Sequence, residues 1–176
     1  MTMWVFGYGS LLWHPGFEVA EQAQATLAGY ARSFCMRSIH HRGSEAAPGL
    51  VLALDEAPGA QCVGVALRVA PGTEDATLAY LRARELISSA YIERMLQVDL
   101  QDGRQVTAVT FVIDPDHVQY CGGLPLEEQA QIIAHATGGR GPNSDYLYNT
   151  AQHLTDLGLS DPDLDWLSRR VAAILS

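Results

Sequence analysis

The sequence predicts an α+β protein built as a single domain over residues 1–176. Two observations lead to this fold class. Segments typical of strands fill the first two thirds of the chain, and segments typical of helices follow them instead of alternating with them. The length suits one buried core and is short for two domains, and no linker or repeat interrupts it. The pattern therefore favours α+β over a doubly wound parallel sheet.

The strand predictions come from short apolar runs and from period-two alternation. The predicted strands are 3–8, 24–36, 49–55, 61–69, 92–100 and 104–113. The segment 61–69, "QCVGVALRV", alternates apolar and polar residues as a half-buried strand does. Asp102 and Gly103 are a strong turn signal, so we expect the last two strands to form a hairpin.

A helix is predicted over 74–87, with Thr73 as its N-cap, acidic residues in its first turn and arginines in its last. Further helices are predicted at 126–137, 144–157 and 163–174. For the second of these, the side chain of Asn143 or Ser144 is expected to provide the cap.

The charge of the chain argues against nucleic acid as a partner. The formal net charge is −9, and all 11 basic residues are arginines. A nucleic-acid-binding protein needs a basic surface to neutralise phosphates. The absence of lysine also excludes Schiff-base chemistry, a lysine general base and a phosphate-loop lysine.

The cysteines and the hydropathy indicate a cytoplasmic protein. Cys35, Cys62 and Cys121 are far apart and odd in number, which is neither a disulfide framework nor a metal knuckle. No apolar run approaches the roughly 20 residues that span a bilayer, and no secretory signal is visible. We therefore expect a reducing compartment, no membrane association and no obligate protein partner.

The histidines do not predict a metal site. His40 and His41 are adjacent, so in a strand they would point to opposite faces. His135 and His153 stand alone on predicted helices, and no His-Glu-x-x-His or His–Cys spacing occurs. We expect no metal and no cofactor.

Residues 4–13, "WVFGYGSLLW", place two glycines and a serine at the end of a strand. Leu12 stands where both a dinucleotide fingerprint and a nucleophile elbow need a glycine. Two interpretations remain open from the pattern. The segment is either a tight turn, or a loop whose open amides bind an anion such as a carboxylate.

Glu85 shares the apolar face of the predicted helix with Leu78 and Leu81. A carboxylate there is either paired, as with a neighbouring arginine, or kept unpaired as a proton acceptor whose pKa burial raises. Tyr146 in "NSDYLYNT" is likewise either part of an aromatic core or a ligand contact. The pattern alone does not decide these cases.

An ordered set of segments resembles the ChaC family of glutathione-specific γ-glutamylcyclotransferases over nearly the whole chain. The segments are "WVFGYGSLLW", "HRGSEAAPGLVLALD", "YLRAREL", "TFVIDPDHVQY", "LEEQAQIIAHATG" and "NSDYLYNT". The resemblance implies a small mixed β-barrel with flanking helices. It also implies that glutathione is cleaved to 5-oxoproline and cysteinylglycine. By this resemblance Glu85 is the catalytic proton acceptor, and the substrate-binding stretch is Val5, Phe6, Gly7, Tyr8, Gly9 and Ser10.

One departure from the family pattern concerns the substrate. Family members carry a glycine shortly after the catalytic glutamate, whereas this chain has Ser89 and Ala90 before Tyr91. Two alternatives therefore stay open. One is a cyclotransferase acting on other γ-glutamyl amines or dipeptides, and the other is a regulatory protein that binds a γ-glutamyl ligand without turnover.

Overall fold

A computed structural model describes residues 2–86 and 89–176, and its central feature is a closed five-stranded barrel. The strands are β1 (Trp4–Gly7), β2 (Val19–Ser38), β3 (Gly49–Val69), β4 (Tyr91–Leu100) and β5 (Gln105–Ile113). Their order around the barrel is β1-β3-β2-β4-β5. The mixed barrel expected from the family resemblance is thus confirmed.

The helices follow the strands in chain order, apart from one that joins β3 to β4. They are α1 (Glu74–Glu85), α2 (Leu126–His135), α3 (Asn143–Asp156) and α4 (Pro162–Leu175). A 3₁₀ turn covers Ser10–Leu12, and a two-stranded sheet joins β6 (Thr137–Gly138) to β7 (Gly141–Pro142). No helix in the described part of the chain has the length and apolar content to cross a bilayer.

The contacts within the chain group it into two compact units. The first comprises Met1–Arg32 and Leu54–Val118, and the second comprises Ser33–Ala53 and Gln119–Ser176. The expectation of a single domain stays a prediction.

In the first unit, β1 lies beside two strands of opposite orientation. It pairs antiparallel with β3, where Trp4 lies opposite Arg68, and parallel with β5, where Val5 lies opposite Val109. Hydrophobic side chains from β1, β3, β5, the 3₁₀ turn and α1 pack into one cluster. Its buried members are Val5, Leu11, Val69, Leu81, Val109 and Phe111.

In the second unit, three helices bury apolar faces. Ile133 of α2, Leu147 and Leu154 of α3, and Leu164 and Val171 of α4 are each at most 2% exposed. These positions recur at helical spacing, as the sequence pattern predicted for this part of the chain.

The strand predictions differ from the structure between residues 55 and 61. We predicted two strands there, 49–55 and 61–69, with Pro58 and Gly59 in the gap between them. Instead, β3 runs without interruption from Gly49 to Val69. Gly59 has φ +85°, a conformation open to glycine, and this lets the strand continue through the irregular position.

Thr73 is confirmed as the N-cap of α1, although its hydroxyl does not bind the helix end and instead donates to the carbonyl of Ala70, 2.7 Å away. The cap predicted for α3 from Asn143 or Ser144 was wrong. The N-cap of α3 is Pro142, and the Asn143 side chain instead binds the backbone of Leu50. In both places a polar side chain satisfies a backbone group of a neighbouring segment rather than a helix end.

Candidate active site

The predicted binding stretch starts inside the barrel core and ends at an exposed turn. Val5 and Phe6 on β1 are 0% and 1% exposed, so their side chains belong to the core. The strand ends at Gly7. Tyr8 and Gly9 are also buried, and Ser10 is the first exposed residue of the stretch 5–10. The hydrogen bonds of β1 to both neighbouring strands therefore fix where the turn emerges.

The two glycines of this turn serve different purposes. A Cβ on Gly7 would lie 3.2 Å from the Cβ of Leu11, so close packing against the 3₁₀ turn explains this glycine. A Cβ on Gly9 would have no heavy atom within 4 Å, although Gly9 itself is buried. Gly9 has φ −136°, so a left-handed conformation is not the reason for glycine there. The direction in which its side chain would point is open space.

Arg32 holds the turn from the barrel side. Its Nε donates to the carbonyl of Tyr8 at 2.7 Å, and its Nη2 donates to the carbonyl of Val63 at 2.6 Å. Hydrogen bonds from a charged donor are stronger than those between neutral groups. Arg32 therefore fixes the carbonyl of Tyr8, at the start of the turn, to the carbonyl of Val63 on β3.

Glu85 is the last residue of α1, and packing of this helix holds it in place. Leu81 is fully buried in the barrel cluster, and Leu78 packs against the same cluster. Glu85, one turn after Leu81, therefore lies at the margin of the apolar surface, and its side chain is 17% exposed. Burial raises the pKa of Glu85 above its ordinary value, and the positive charge of Arg84 opposes this rise.

Arg84 connects Glu85 to the glycine turn. Its Nη2 donates to the hydroxyl of Ser10 at 2.8 Å, while its Nε lies 3.5 Å from Oε1 of Glu85. Its Nη1 donates to the carbonyls of His14 and Pro15, at 2.7 and 3.1 Å. The sequence left open whether Glu85 is paired or kept for chemistry, and the structure shows a neighbouring arginine together with a net raised pKa.

The sequence analysis did not identify Arg84 or Tyr80. Tyr80 lies one helical turn before Arg84, and its hydroxyl accepts a hydrogen bond from Nη1 of Arg84 at 3.1 Å. Gly16 has φ +79°, and a Cβ there would overlap that hydroxyl. The spacing Tyr-x-x-x-Arg-Glu was the available signal, although a helix surface carries such pairs for many reasons.

Tyr146 belongs to the second unit, and its contacts there are structural. Its hydroxyl accepts from the amide of Leu52 at 3.1 Å. Its ring packs edge-on against Phe34, with centroids 6.0 Å apart, and Arg42 lies 5.7 Å from the ring centre. Its contact with a ligand stays a prediction.

The segment after Glu85 that departs from the family pattern includes Ser89 and Ala90, which the structure describes. Ser89 is exposed, and its hydroxyl lies 3.1 Å from Nε2 of His117. Ala90, by contrast, is fully buried. This serine is therefore held by a second side chain at the surface.

The histidines do not lie as the strand argument assumed. His40 and His41 occupy a bend after β2, not a strand. Across residues 2–86 and 89–176, no three His, Cys, Asp or Glu side chains converge in a way that would hold a metal ion. Cys35, Cys62 and Cys121 are each buried.

The fold matches solved structures of γ-glutamylcyclotransferases. The crystal structure of a glutathione-specific γ-glutamyl cyclotransferase from yeast superposes with a TM-score of 0.85, at 22% identity, covering 100% of both chains. The selenomethionine form of that protein gives a TM-score of 0.84, at 23% identity, over 98% of this chain and 96% of the other. At these identities the likeness establishes the fold.

The family follows from sequence. The model of the ChaC-like protein family matches residues 3–174. A glutathione-specific γ-glutamylcyclotransferase of Escherichia coli is 40% identical over 174 residues, which are 99% of this chain and 74% of the relative. γ-Glutamylcyclotransferase 2-3 of Arabidopsis thaliana is 34% identical over 182 residues, covering 100% of this chain and 92% of the relative. The chain belongs to the ChaC-like family.

Proposed function

We propose that this protein is a glutathione-specific γ-glutamylcyclotransferase, an enzyme that degrades glutathione to 5-oxoproline and cysteinylglycine. The observation that carries the proposal is the Glu85 carboxylate. Burial raises its pKa, and Arg84 connects it to Ser10 in the glycine turn. The names of the curated relatives in E. coli and human, both glutathione-specific γ-glutamylcyclotransferases, support the same activity.

The reaction needs a proton carrier more than a nucleophile from the enzyme. The substrate's own α-amine attacks its γ-carbonyl carbon and closes a five-membered lactam, and the bond to the cysteinyl nitrogen then breaks. Intramolecular attack has a large proximity advantage once the substrate is bent. At pH 7 an α-amine with a pKa near 8 is about nine-tenths protonated, so a base must first remove a proton.

We assign this role to Glu85. The α-nitrogen loses two protons as the ammonium becomes the lactam N–H. The Glu85 carboxylate takes them in turn, one before the attack and one after it, and passes each to the departing nitrogen, which leaves as an ammonium, so that the carboxylate is regenerated. A pKa raised toward neutrality makes the carboxylate a stronger base while it still ionises, which general acid–base catalysis favours. An unperturbed glutamate would be the weaker acceptor.

We assign substrate binding to residues 5–10, which are the end of β1 and the turn that follows it. The substrate would occupy the open space beside Gly9. Amides at the start of a 3₁₀ turn have no acceptor within the turn, so they can donate to the α-carboxylate of the substrate or to the developing oxyanion. The buried Val5 and Phe6 support the turn from the core. Contact of Tyr146 with a ligand stays a proposal from the sequence, which left it open beside a place in an aromatic core.

No lysine, metal or organic cofactor enters this mechanism. We further propose that the enzyme acts in the cytoplasm on a small molecule, without nucleic acid, a membrane or an obligate protein partner. The net charge of −9 supports the first of these exclusions.

A second candidate is the same ring closure on other γ-glutamyl amines or dipeptides. The observation that favours it is the exposed Ser89 hydroxyl, which lies 3.1 Å from Nε2 of His117 in the segment that departs from the family's glycine pattern. A panel of γ-glutamyl dipeptides assayed beside glutathione separates the two candidates by their kcat/KM ratios.

The direct test is incubation of the purified protein with glutathione, followed by chromatography for 5-oxoproline, cysteinylglycine and free glutamate. We expect equal amounts of 5-oxoproline and cysteinylglycine and no glutamate. Binding of glutathione without either product would favour the regulatory alternative and contradict the proposal.

A further inference from the structure

The side chain of Arg84 fills the space between the glycine turn and Glu85. Its guanidinium donates to the hydroxyl of Ser10 and to the carbonyls of His14 and Pro15. The same group lies 3.5 Å from the Glu85 carboxylate. Segment 10–15 is thus joined to the last turn of α1 by one side chain.

The comparison with Arg82 shows that this arrangement is specific. Arg82 lies on the same helix, pairs with Glu93 of β4 at 2.7 Å, and has a side chain that is 52% exposed. The side chain of Arg84 is 18% exposed and makes its hydrogen bonds to the loop. A guanidinium can hold several acceptors in fixed directions, which an ammonium cannot do.

We propose that Arg84 is a positioning residue for the cyclisation, which fixes the substrate-binding turn relative to the Glu85 carboxylate. The proposal rests on the proposed function and deepens it, since it names the residue that keeps base and binding turn in register. Arg84 itself exchanges no proton with the substrate. It acts through Ser10 on one side and through Glu85 on the other.

The position of the charge gives Arg84 a second effect. Its positive charge favours the ionised form of Glu85 and so opposes the effect of burial on the pKa of that carboxyl. The other titratable groups on the elements packed here are Tyr80 and Arg82 on the same helix, His14 on the loop, and Tyr91 with Glu93 on β4. Among the described residues, Arg84 is the charged side chain that acts on the pKa of Glu85.

Two substitutions separate these effects. Arg84→Lys keeps the charge but loses the fork that binds several acceptors, so we expect KM for glutathione to rise roughly tenfold, as loss of charged hydrogen bonds implies. The acid limb of the pH profile of kcat should stay at the same pH as in the wild type. Arg84→Gln should raise KM similarly and also move the acid limb to higher pH, because an ionised Glu85 becomes harder to form.

The matched control is Arg82→Gln, which removes the same charge from the same helix without touching the turn. We expect its KM and its acid limb to equal those of the wild type. A ¹³C NMR titration of the Glu85 carboxyl, assigned with Glu85→Gln, follows this group separately from His14. It should show the Glu85 pKa higher in Arg84→Gln than in the wild type.

A wild-type KM for glutathione in folded Arg84→Gln would overturn the proposal, because the binding turn would then keep its place without the arginine, whatever happens to the titration of Glu85. If Arg84→Gln does not fold, as judged by circular dichroism, a wild-type KM in Arg84→Lys overturns it instead. Failure of the proposed function looks different: the wild type then forms no 5-oxoproline, while the NMR titration still reports on Arg84.

Discussion

At the scale of single residues, Glu85 combines features that rarely occur together on a surface helix. Its side chain is mostly buried. Its ion-pair partner, Arg84, also donates hydrogen bonds to three groups of the loop at residues 10–15. The burial effect on the pKa therefore exceeds the effect of the charge pair. Such a carboxyl is typical of a functional group.

Replacement of Glu85 by Gln should abolish turnover while glutathione binding stays nearly intact. General acid–base groups contribute on the order of 10²–10⁴-fold, and here one group handles both proton transfers. We expect kcat to fall by roughly 10³-fold or more, measured as 5-oxoproline formed per minute. Activity within tenfold of the wild type would remove Glu85 from the role of base.

The same substitution should stabilise the protein at neutral pH. A folded-state pKa above the unfolded value of about 4.3 means that the folded chain binds this proton more tightly. The resulting stabilisation is complete below the unfolded pKa and is lost as the pH rises through the folded pKa. Glu85→Gln should therefore melt at a higher temperature than the wild type at pH 7, and the gap should close near pH 4. Equal melting temperatures at pH 7 would contradict the burial argument.

Gly9 offers a test of the turn. A Cβ there would have no heavy atom within 4 Å and requires no left-handed backbone, so a valine side chain starts in the space assigned to the substrate. We expect Gly9→Val to raise KM for glutathione at least tenfold with a small change in melting temperature, and Gly9→Ala to fall between it and the wild type. A normal KM in Gly9→Val would show that this turn does not receive the substrate.

At the scale of elements, alternation and turn signals in the sequence predicted most strands and all four helices. The hairpin at Asp102 and Gly103 is confirmed, with Gly103 at φ +96°. The gap predicted between strands 49–55 and 61–69 was wrong, because β3 runs through it with Gly59 at positive φ. Local propensity does not reveal this, since the choice depends on the strands on either side.

Asn143 shows another limit of local rules. Asparagine at the start of a helix predicts a cap. Instead, Oδ1 of Asn143 accepts a hydrogen bond from the backbone N–H of Leu50, and its Nδ2 donates to the carbonyl of Leu50, each at 2.8 Å. The partner is about 90 residues away in the chain, beyond the reach of any pattern read locally. The same holds for Arg84, whose partners at the turn lie about 70 residues earlier in the sequence.

Loss of the Asn143 amide should destabilise the protein. Asn143→Ala leaves the buried N–H and C=O of Leu50 without this partner, at a cost of about 1–3 kcal/mol for an unsatisfied group. The matched control is Asn149→Ala on the exposed face of the same helix, which should change stability little. Urea denaturation measures both. Equal midpoints for the two variants would show that the Leu50 contact contributes nothing.

At the scale of the whole molecule, the prediction of one domain is open to calorimetry. A single domain of 176 residues should melt in one cooperative transition, with equal calorimetric and van't Hoff enthalpies. Two separable transitions would instead assign independent stability to the two compact units of the chain.

The site could be predicted only in part from the residues themselves. Periodicity placed Glu85 on an apolar face, and spacing left the glycine turn undecided between a plain turn and a ligand loop. The resemblance to the ChaC family supplied the roles. The structure adds the physical link, because Arg84 touches both Ser10 and Glu85.

The central claim is that the substrate's own α-amine is the nucleophile, and N-acetylated glutathione tests it most directly. Acetylation ties up the lone pair of that amine and leaves the scissile γ-amide bond unchanged. With glutathione as the parallel substrate, chromatography should show 5-oxoproline from glutathione and no cleavage of the acetylated compound. Steady release of cysteinylglycine from acetylated glutathione, or of glutamate from glutathione, would mean hydrolysis by water or Ser10 and would contradict the cyclisation mechanism.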